Sequence, residues 1–358
     1  MPIQIGVNAL YLKPGAVGGT EVYLRSLLAA MSTVDQENEW IVFANSETPR
    51  DLVPEVPNFT FAPQSVNASF RPGRILYEQL VLPRKAARAD VLFNPGFTAP
   101  VFGPKTVTVF HDLQHKRHPE HFRWFDLPFW NLLLWTSAKR SNRLITVSQA
   151  THDDLKKFYG LESDVILHGV DPQYFAIGAR RLPEKFLLCV STLHPHKNHL
   201  RLIRAYSRFR ESYPEYDLVL AGLRGFAADQ IEAEIARLGL AGHIRITGWV
   251  SQQELYDLYA GAAGMVYPST FEGFGMPVIE AMAAQVPLAS ANIEPLHSLV
   301  DGHSLEFDPS DEDAITEALI GLINAPPPAG PALVRARQFS WEQAARQTLA
   351  VLKSTSSR

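Results

Sequence analysis

Short apolar runs alternate along the chain with longer stretches in which apolar positions return every three or four residues. The first pattern suits buried strands, and the second suits helices with one apolar face. In the first half it predicts strands over residues 3–8, 40–44, 91–94, 107–110, 144–147 and 165–167. Helices are predicted over 21–31, 75–88, 128–140 and 150–158, the last capped by Ser148. Periodicity fails after His168 in GVDPQYFAIGARRLP, which reads as a linker. It restarts with strands over 186–190, 218–221, 244–247 and 264–267 and helices over 200–210, 231–238, 253–260 and 277–284. Strands joined by crossover helices make parallel sheets, so an α/β chain of two Rossmann-like domains is expected, over residues 1–170 and 171–338, with a cleft between them. The proline break APPPAGP at 325–331 precedes FSWEQAARQTLAVLK, which has the period of one amphipathic helix.

Composition narrows the class without changing that picture. Apolar residues make up 46% and charged residues 20% of 358 positions, which fits packed domains and excludes disorder. Lys and Arg total 33 against 37 Asp and Glu, so the net charge of −4 argues against a nucleic-acid partner. The single Cys189 excludes an internal disulfide and fits a reducing compartment. The first residues, MPIQIGVNALYLKPG, do not read as a secretory signal, and no run of about 18 uncharged apolar residues occurs. A cytoplasmic protein is expected, soluble or peripheral at the inner face of a membrane.

In open parallel sheets ligands meet the loops after the strands, and there the densest chemistry is STFEGFGMPVIEAMA, residues 269–283. A strand ending at Tyr267 runs into a Gly-rich loop and then a helix. Pro277 suits the first helical turn, where its missing N–H has no partner to lose. Gly273 and Gly275 let backbone approach a ligand, and the helix start offers N–H groups and partial positive charge, which makes an anion site. Glu272 lies in the loop and Glu280 on the first turn. Beside an anion, such carboxylates suit hydroxyl groups of a sugar or ribose. Lys197, in HPHKN at 194–198 after the first strand of the second half, is a compact cation able to pair with a diphosphate. Gly18 and Gly19 offer amides after the first strand, and His111 with Asp112 ends the 107–110 strand.

The run FEGFGMPVIEA, with Glu272 and Glu280 separated by seven residues, resembles the signature of glycosyltransferase family 4, the retaining group 1 enzymes of GT-B fold. VGGTE at 17–21, VFHDLQH at 109–115, ITVSQATHDDL at 145–155, HGVD at 168–171, HPHKN and the terminal FSWEQ at 339–343 extend the resemblance over nearly the whole chain. It implies a nucleotide-diphosphate sugar as donor, no cofactor and no divalent metal. Glu272 would hold donor-sugar hydroxyls, Glu280 the ribose, and the amides of Phe274, Gly275 and Met276 the sugar or diphosphate, with Gly273 beside them. Gly18 and Gly19 would face the diphosphate from the opposite side of the cleft. His111 would approach the donor sugar with its backbone or ring, and Asp112 and Ser148 would lie on the acceptor side. His111, Lys197 and Glu272 are thus the expected catalytic residues. Thr192 stands among the donor-binding positions where many relatives carry an Arg, and Gln285 stands where a Gly is common. The helix over 339–358 would cross back to the first domain. Departure of the diphosphate from an oxocarbenium-like centre, with the leaving phosphate taking the acceptor proton on the same face, is the implied route to retention.

HDLQHKRHPEHF looks like mannosyl- and rhamnosyltransferases of polysaccharide pathways, so the preference falls on GDP-mannose, with UDP, ADP and dTDP sugars left open. The acceptor would be a glycan or a lipid-linked sugar. Two rival readings are a sugar-nucleotide epimerase of similar architecture and a silent nucleotide-sugar-binding protein. Histidines 111, 115, 118 and 121 suggest a metal site, but Pro119 interrupts any helix through them, and none is expected. Asp311-Glu312-Asp313 reads as a helix cap. HFRWFDLPFWNLLLW, residues 121–135, suits either a bilayer or lipid-linked acceptor or a buried helix, and its apolar content on more than one face favours the core.

Overall fold

The computed structural model describes residues 2–15 and 18–357, the Arg180 side chain excepted. Val17, which opens the VGGTE motif, lies outside the described residues. The chain divides into two compact units, one running to Gly169 and taking up the chain again from Ser340, the other comprising Val170–Phe339.

Unit 1 contains β1 (Gln4–Ala9), α1 (Gly19–Val34), β2 (Glu39–Ala44), β3 (Phe59–Pro63), α2 (Arg71–Leu80), α3 (Leu82–Lys85), β4 (Val91–Asn94), β5 (Thr106–Phe110), α4 (Gln114–Arg117), α5 (Leu127–Arg140), β6 (Arg143–Thr146), α6 (Gln149–Tyr159) and β7 (Asp164–Val165). Its strands form one parallel seven-stranded sheet in the order β3-β2-β1-β4-β5-β6-β7. Unit 2 contains α7 (Pro172–Ile177), β8 (Phe186–Val190), α8 (His199–Ser212), β9 (Asp217–Ala221), α9 (Ala228–Arg237), β10 (Ile244–Gly248), α10 (Gln252–Gly261), β11 (Gly264–Tyr267), α11 (Met276–Ala283), β12 (Leu288–Ala291), α12 (Leu296–Val300), β13 (Leu305–Phe307), α13 (Glu312–Asn324) and α14 (Ala329–Ala336). Its parallel sheet runs β10-β9-β8-β11-β12-β13. The final helix, α15 (Trp341–Ser356), packs in unit 1 with Trp341 against Tyr23 and His168.

In both sheets the strand order reverses beside the first strand, between β1 and β4 and between β8 and β11. Loops on either side of such a reversal leave in opposite directions and open a crevice at the carboxyl ends of the strands. The central strands are buried on both faces, as Val7, Val107, Ile145, Leu188 and Val266 show, because helices cover each side. Below the unit 1 crevice lies a buried polar network in which Glu78 accepts from Asn8 at 3.2 Å, Thr98 at 2.9 Å and Arg74 at 3.3 Å.

Several expectations change. The linker after His168 contains α7, because Asp171 caps it by accepting from the Gln173 amide at 2.9 Å and Pro172 opens it. The helix predicted over 75–88 begins at Arg71 and is split at Val81, next to Pro83. Residues 121–135 do not form a buried helix. In α5, Leu134, Ser137 and Ala138 turn inward, while Phe129, Leu132 and Trp135 are exposed. Asp311 caps α13 as expected, accepting from the amides of Asp313 and Ala314.

Candidate functional site

In unit 2 the sheet order makes β8 and β11 neighbours, so the loops after Val190 and Tyr267 run side by side. They are stitched together. The Thr270 amide donates to the His196 carbonyl at 2.8 Å, and the Asn198 side-chain amide donates to the carbonyls of Pro268 at 3.1 Å and Pro309 at 2.7 Å. Asn198 does this from a left-handed conformation, φ 60°, a region that Asn tolerates better than most residues. The stitching carries Lys197 to Glu272 across 75 positions of sequence. Its Nζ lies 2.5 Å from Glu272 Oε1 and 3.2 Å from the Tyr267 hydroxyl. Both charged side chains are largely withdrawn from solvent, with 15% and 9% exposure, where an ion pair is screened less than on a surface.

The loop then turns into α11 through Gly275, whose φ of 108° is closed to ordinary side chains. A Cβ at that position would also collide with Leu296. Pro277 sits in the first turn, and the amides at the helix start point their partial positive charge toward the loop. Glu280 falls on the second turn rather than the first, and its partners differ from those of Glu272. It accepts from the Tyr259 hydroxyl at 2.9 Å, and Tyr174 bonds to it as well. Burial pushes its carboxyl up to about 7, the two tyrosine hydroxyls oppose the rise, and Asp171 adds to it. Tyr174 and Tyr259 pack edge to face at 5.2 Å, and Asp171 accepts from Tyr256 at 2.8 Å.

Unit 2 therefore gathers Lys197, Glu272 and residues 273–276 at one strand-end crevice, with Glu280 one turn along the helix. Thr192 is half-buried, and its carbonyl accepts from the His194 amide at 2.7 Å. Its hydroxyl carries no charge in place of the Arg that the family resemblance leads one to expect there. Gln285 adopts φ 57° just past the end of α11, which explains why glycine suits that position.

In unit 1, Gly18 caps α1 at φ 57°, with open space where a Cβ would stand, and Gly19 is the first helical residue. Glu21 of the same motif holds the loop by accepting from the Gly15 amide at 2.9 Å. His111, at the end of β5, is buried, and its Nε2 lies 2.7 Å from the Pro95 carbonyl. A carbonyl can only accept, so Nε2 carries the proton and Nδ1 keeps the lone pair. Burial pushes this imidazole down to about 4, so near neutral pH it is uncharged. Tyr23 packs edge to face on it at 4.8 Å. Asp112 accepts from the Gln114 amide at 2.9 Å.

Ser148 is buried, and its hydroxyl caps α6 by accepting from the Thr151 amide at 3.1 Å. That leaves it without an exposed face for an acceptor. The four histidines do not converge: His115 bonds to Tyr159 at 2.7 Å, whereas His118, Glu120 and His121 bring ligating atoms within 4.8 Å of one another.

Sequence reasoning missed Tyr259 and Tyr174, the partners of Glu280. Asp171-Pro172 is a helix-start signature that marks α7, but nothing in the periodicity of α10 shows where the hydroxyl of Tyr259 points.

Residues 170–344 match the family model for glycosyl transferases group 1, and residues 17–174 match that for glycosyltransferase family 4. The O-antigen chain mannosyltransferase B of Escherichia coli is 29% identical over 333 residues, covering 85% of this chain and 87% of that one. Among solved structures, the sucrose-phosphate synthase of Thermosynechococcus elongatus superposes with a TM-score of 0.80 at 18% identity, covering 98% of each chain. HepE of Anabaena in complex with UDP-glucose gives 0.77 at 19% identity, covering 98% of this chain and 100% of that one. These likenesses establish two parallel-sheet domains of GT-B type.

Proposed function

The chain belongs to the glycosyltransferases described by those two family models, and from that premise we propose that it transfers a hexose, with mannose preferred, from a nucleotide-diphosphate sugar to a hydroxyl of a glycan or lipid-linked acceptor. Retention at the anomeric carbon and independence of metal are part of the proposal. The observation that carries it is the pairing of Lys197 with Glu272 at the β8–β11 crevice, directly before the start of α11.

When the glycosidic bond breaks, negative charge grows on the leaving phosphate. Lys197 and the amides at the start of α11 supply the compensating positive charge that a metal ion supplies elsewhere. A donor diphosphate drawing Lys197 toward itself leaves Glu272 to accept from sugar hydroxyls, and Glu280 accepts from the ribose. In unit 1, the Gly18 and Gly19 amides at the start of α1 are further donors of the kind a diphosphate accepts from. His111, neutral and fixed by Pro95, offers its carbonyl and Nδ1 to the sugar and has no proton to give as an acid. As the family resemblance implies, the departing phosphate itself takes the acceptor proton on the same face, with Asp112 on the acceptor side. Mannose is preferred because the segment after His111 is like that of mannosyltransferases and the Escherichia coli relative is named as one. The enzyme acts on the cytoplasmic side and meets a membrane peripherally to reach a lipid-linked acceptor.

Thermal stabilisation across GDP, UDP, ADP and dTDP sugars tests the donor, because a ligand raises the melting temperature only if it binds the folded state. Nucleotide release measured with and without lipid-linked or oligosaccharide acceptor tests the reaction. Acceptor-dependent release supports transfer. Release without acceptor marks an epimerase, and binding without release marks a silent binder, so either result overturns the proposal.

A further inference from the structure

The apolar face that α5 turns outward is continuous with a second one on α2. Arg71 lies over the Trp130 ring at 5.0 Å, joining the starts of the two helices. Near their ends the Gln79 side chain donates to the Ala99 carbonyl at 3.0 Å, and the Ala99 amide donates to Ser137 Oγ at 3.1 Å. The helices therefore run side by side in the same direction. Phe129, Leu132 and Trp135 form one stripe at helical spacing on α5, Leu76 and Leu80 form another on α2, and Phe102 stands in the loop between, all exposed. Leu132 is 64% exposed and Phe102 75%. An apolar surface built from two helices on a water-soluble domain marks a contact.

Charge identifies what covers it. Both stripes end in basic residues, Arg84 and Lys85 after α2 and Lys139 and Arg140 at the end of α5. Over residues 71–88 and 123–140 seven basic side chains are exposed, and no acidic one is. Glu78 is buried against Arg74, and Asp126 is half-buried. The bias runs against a chain whose net charge is −4. No helix among the described residues is long and apolar enough to cross a membrane. We propose that the paired outer faces of α2 and α5 dock on an anionic lipid bilayer, with the aliphatic and aromatic side chains entering the headgroup boundary and the basic ends meeting lipid phosphates. This deepens the membrane contact of the proposed function by assigning its surface and its lipid chemistry.

Co-sedimentation of the full chain with vesicles of phosphatidylcholine, with and without phosphatidylglycerol, tests the docking. The expected result is sedimentation with the mixed vesicles, weak retention on phosphatidylcholine alone, and release in high salt. Leu132→Ser with Trp135→Ser should lower partition by about a hundredfold or more. Lys139→Gln with Arg140→Gln should lower it by about fivefold per charge. All four side chains are exposed, so both variants should melt with the wild type, and the second reports the surface even if the first misfolds. Failure of wild-type protein to bind either vesicle overturns the proposal, and so does undiminished binding by both variants. A dimer in light scattering that Leu132→Ser with Trp135→Ser converts to monomer overturns it too, since a second copy would then own the face. Nucleotide-sugar stabilisation on the same samples reports the donor site separately, so loss of one result leaves the other standing.

Discussion

Glu280→Gln isolates what the donor site costs the fold. Burial raises the folded carboxyl from an ordinary 4.5 to about 7. Below pH 4.5 both folded and unfolded chains hold the proton, and the residue leaves stability unchanged. As pH rises through the window from 4.5 to 7 the unfolded chain releases its proton while the folded one retains it, so stability falls. Above 7 the loss is constant at about 3 kcal/mol. Glutamine keeps the shape, still pairs with the hydroxyls of Tyr259 and Tyr174, and carries no charge to desolvate. At pH 8 the variant should therefore melt about 6–12 °C above wild type, taking roughly 2–4 °C per kcal/mol for a unit of this size. The gap should close by pH 4.5.

His111 and His115, pushed down to about 4, and His199, pushed down to about 3, act in the opposite direction, because each loses stability as pH falls below 6.5. Both proteins carry these histidines, so the difference between the two melting curves cancels them. The same substitution should weaken nucleotide-sugar binding about tenfold or more, since a hydrogen bond to a charged acceptor is lost. Melting curves that coincide from pH 4.5 to 8, or unchanged nucleotide affinity, would refute the assignment of Glu280 as a destabilised carboxylate kept for its ligand.

Two further substitutions probe the crevice. Lys197→Ala should lower kcat at saturating donor by about a hundred- to a thousandfold while circular dichroism stays native, and a rate within about threefold of wild type would show that the leaving group does not rely on this cation. Gly275→Ala adds a Cβ where φ is 108° and Leu296 stands in the way; it should cost about 2 kcal/mol or more in urea denaturation, and an unmoved midpoint would mean that the turn relaxes freely.

The alternation of periods made the parallel α/β class legible because central strands and amphipathic helices write different spacings. It failed where those spacings are absent. β3 ends in Pro63 at the sheet edge and lacks the length of a clear run, and β12 reads LASA, too small in side chain to mark a strand. α5 misled for a different reason. Its apolar residues on several faces cannot tell a buried helix from one whose outer stripe meets another surface, because sequence records polarity and not which side faces water. The Gly-rich loop and the two glutamates were legible, since glycine, helix start and carboxylate combine into a local pattern. The Tyr259–Glu280 bond was not, because it joins residues 21 positions apart on two helices that are brought together only in the fold, each in contact with α7.

Most of the costly features of unit 2 gather in one region. Asn198 at φ 60°, Gly275 at φ 108° and Gln285 at φ 57° flank Lys197, the Glu272 loop and α11. The withdrawn Lys197–Glu272 pair and the raised carboxyl of Glu280 occupy the same two loops and helix. Left-handed backbone at a non-glycine residue costs about 1–2 kcal/mol, and a buried charge without its ligand costs more. A sheet needs none of this to close, since β9, β10 and β12 turn into their helices without a buried ion pair at their ends. Left-handed backbone also occurs away from this region, at Asp301, φ 50°, past the end of α12, but the withdrawn ion pair and the raised carboxyl lie beside the reversal of strand order, and there they share one remedy. A diphosphate satisfies the cation and the helix start, and polyol hydroxyls satisfy the carboxylates. The ligand that would relieve the charge penalties together is a sugar joined to a ribose through two phosphates, and it is the spatial coincidence of those penalties, more than any one residue, that argues for it.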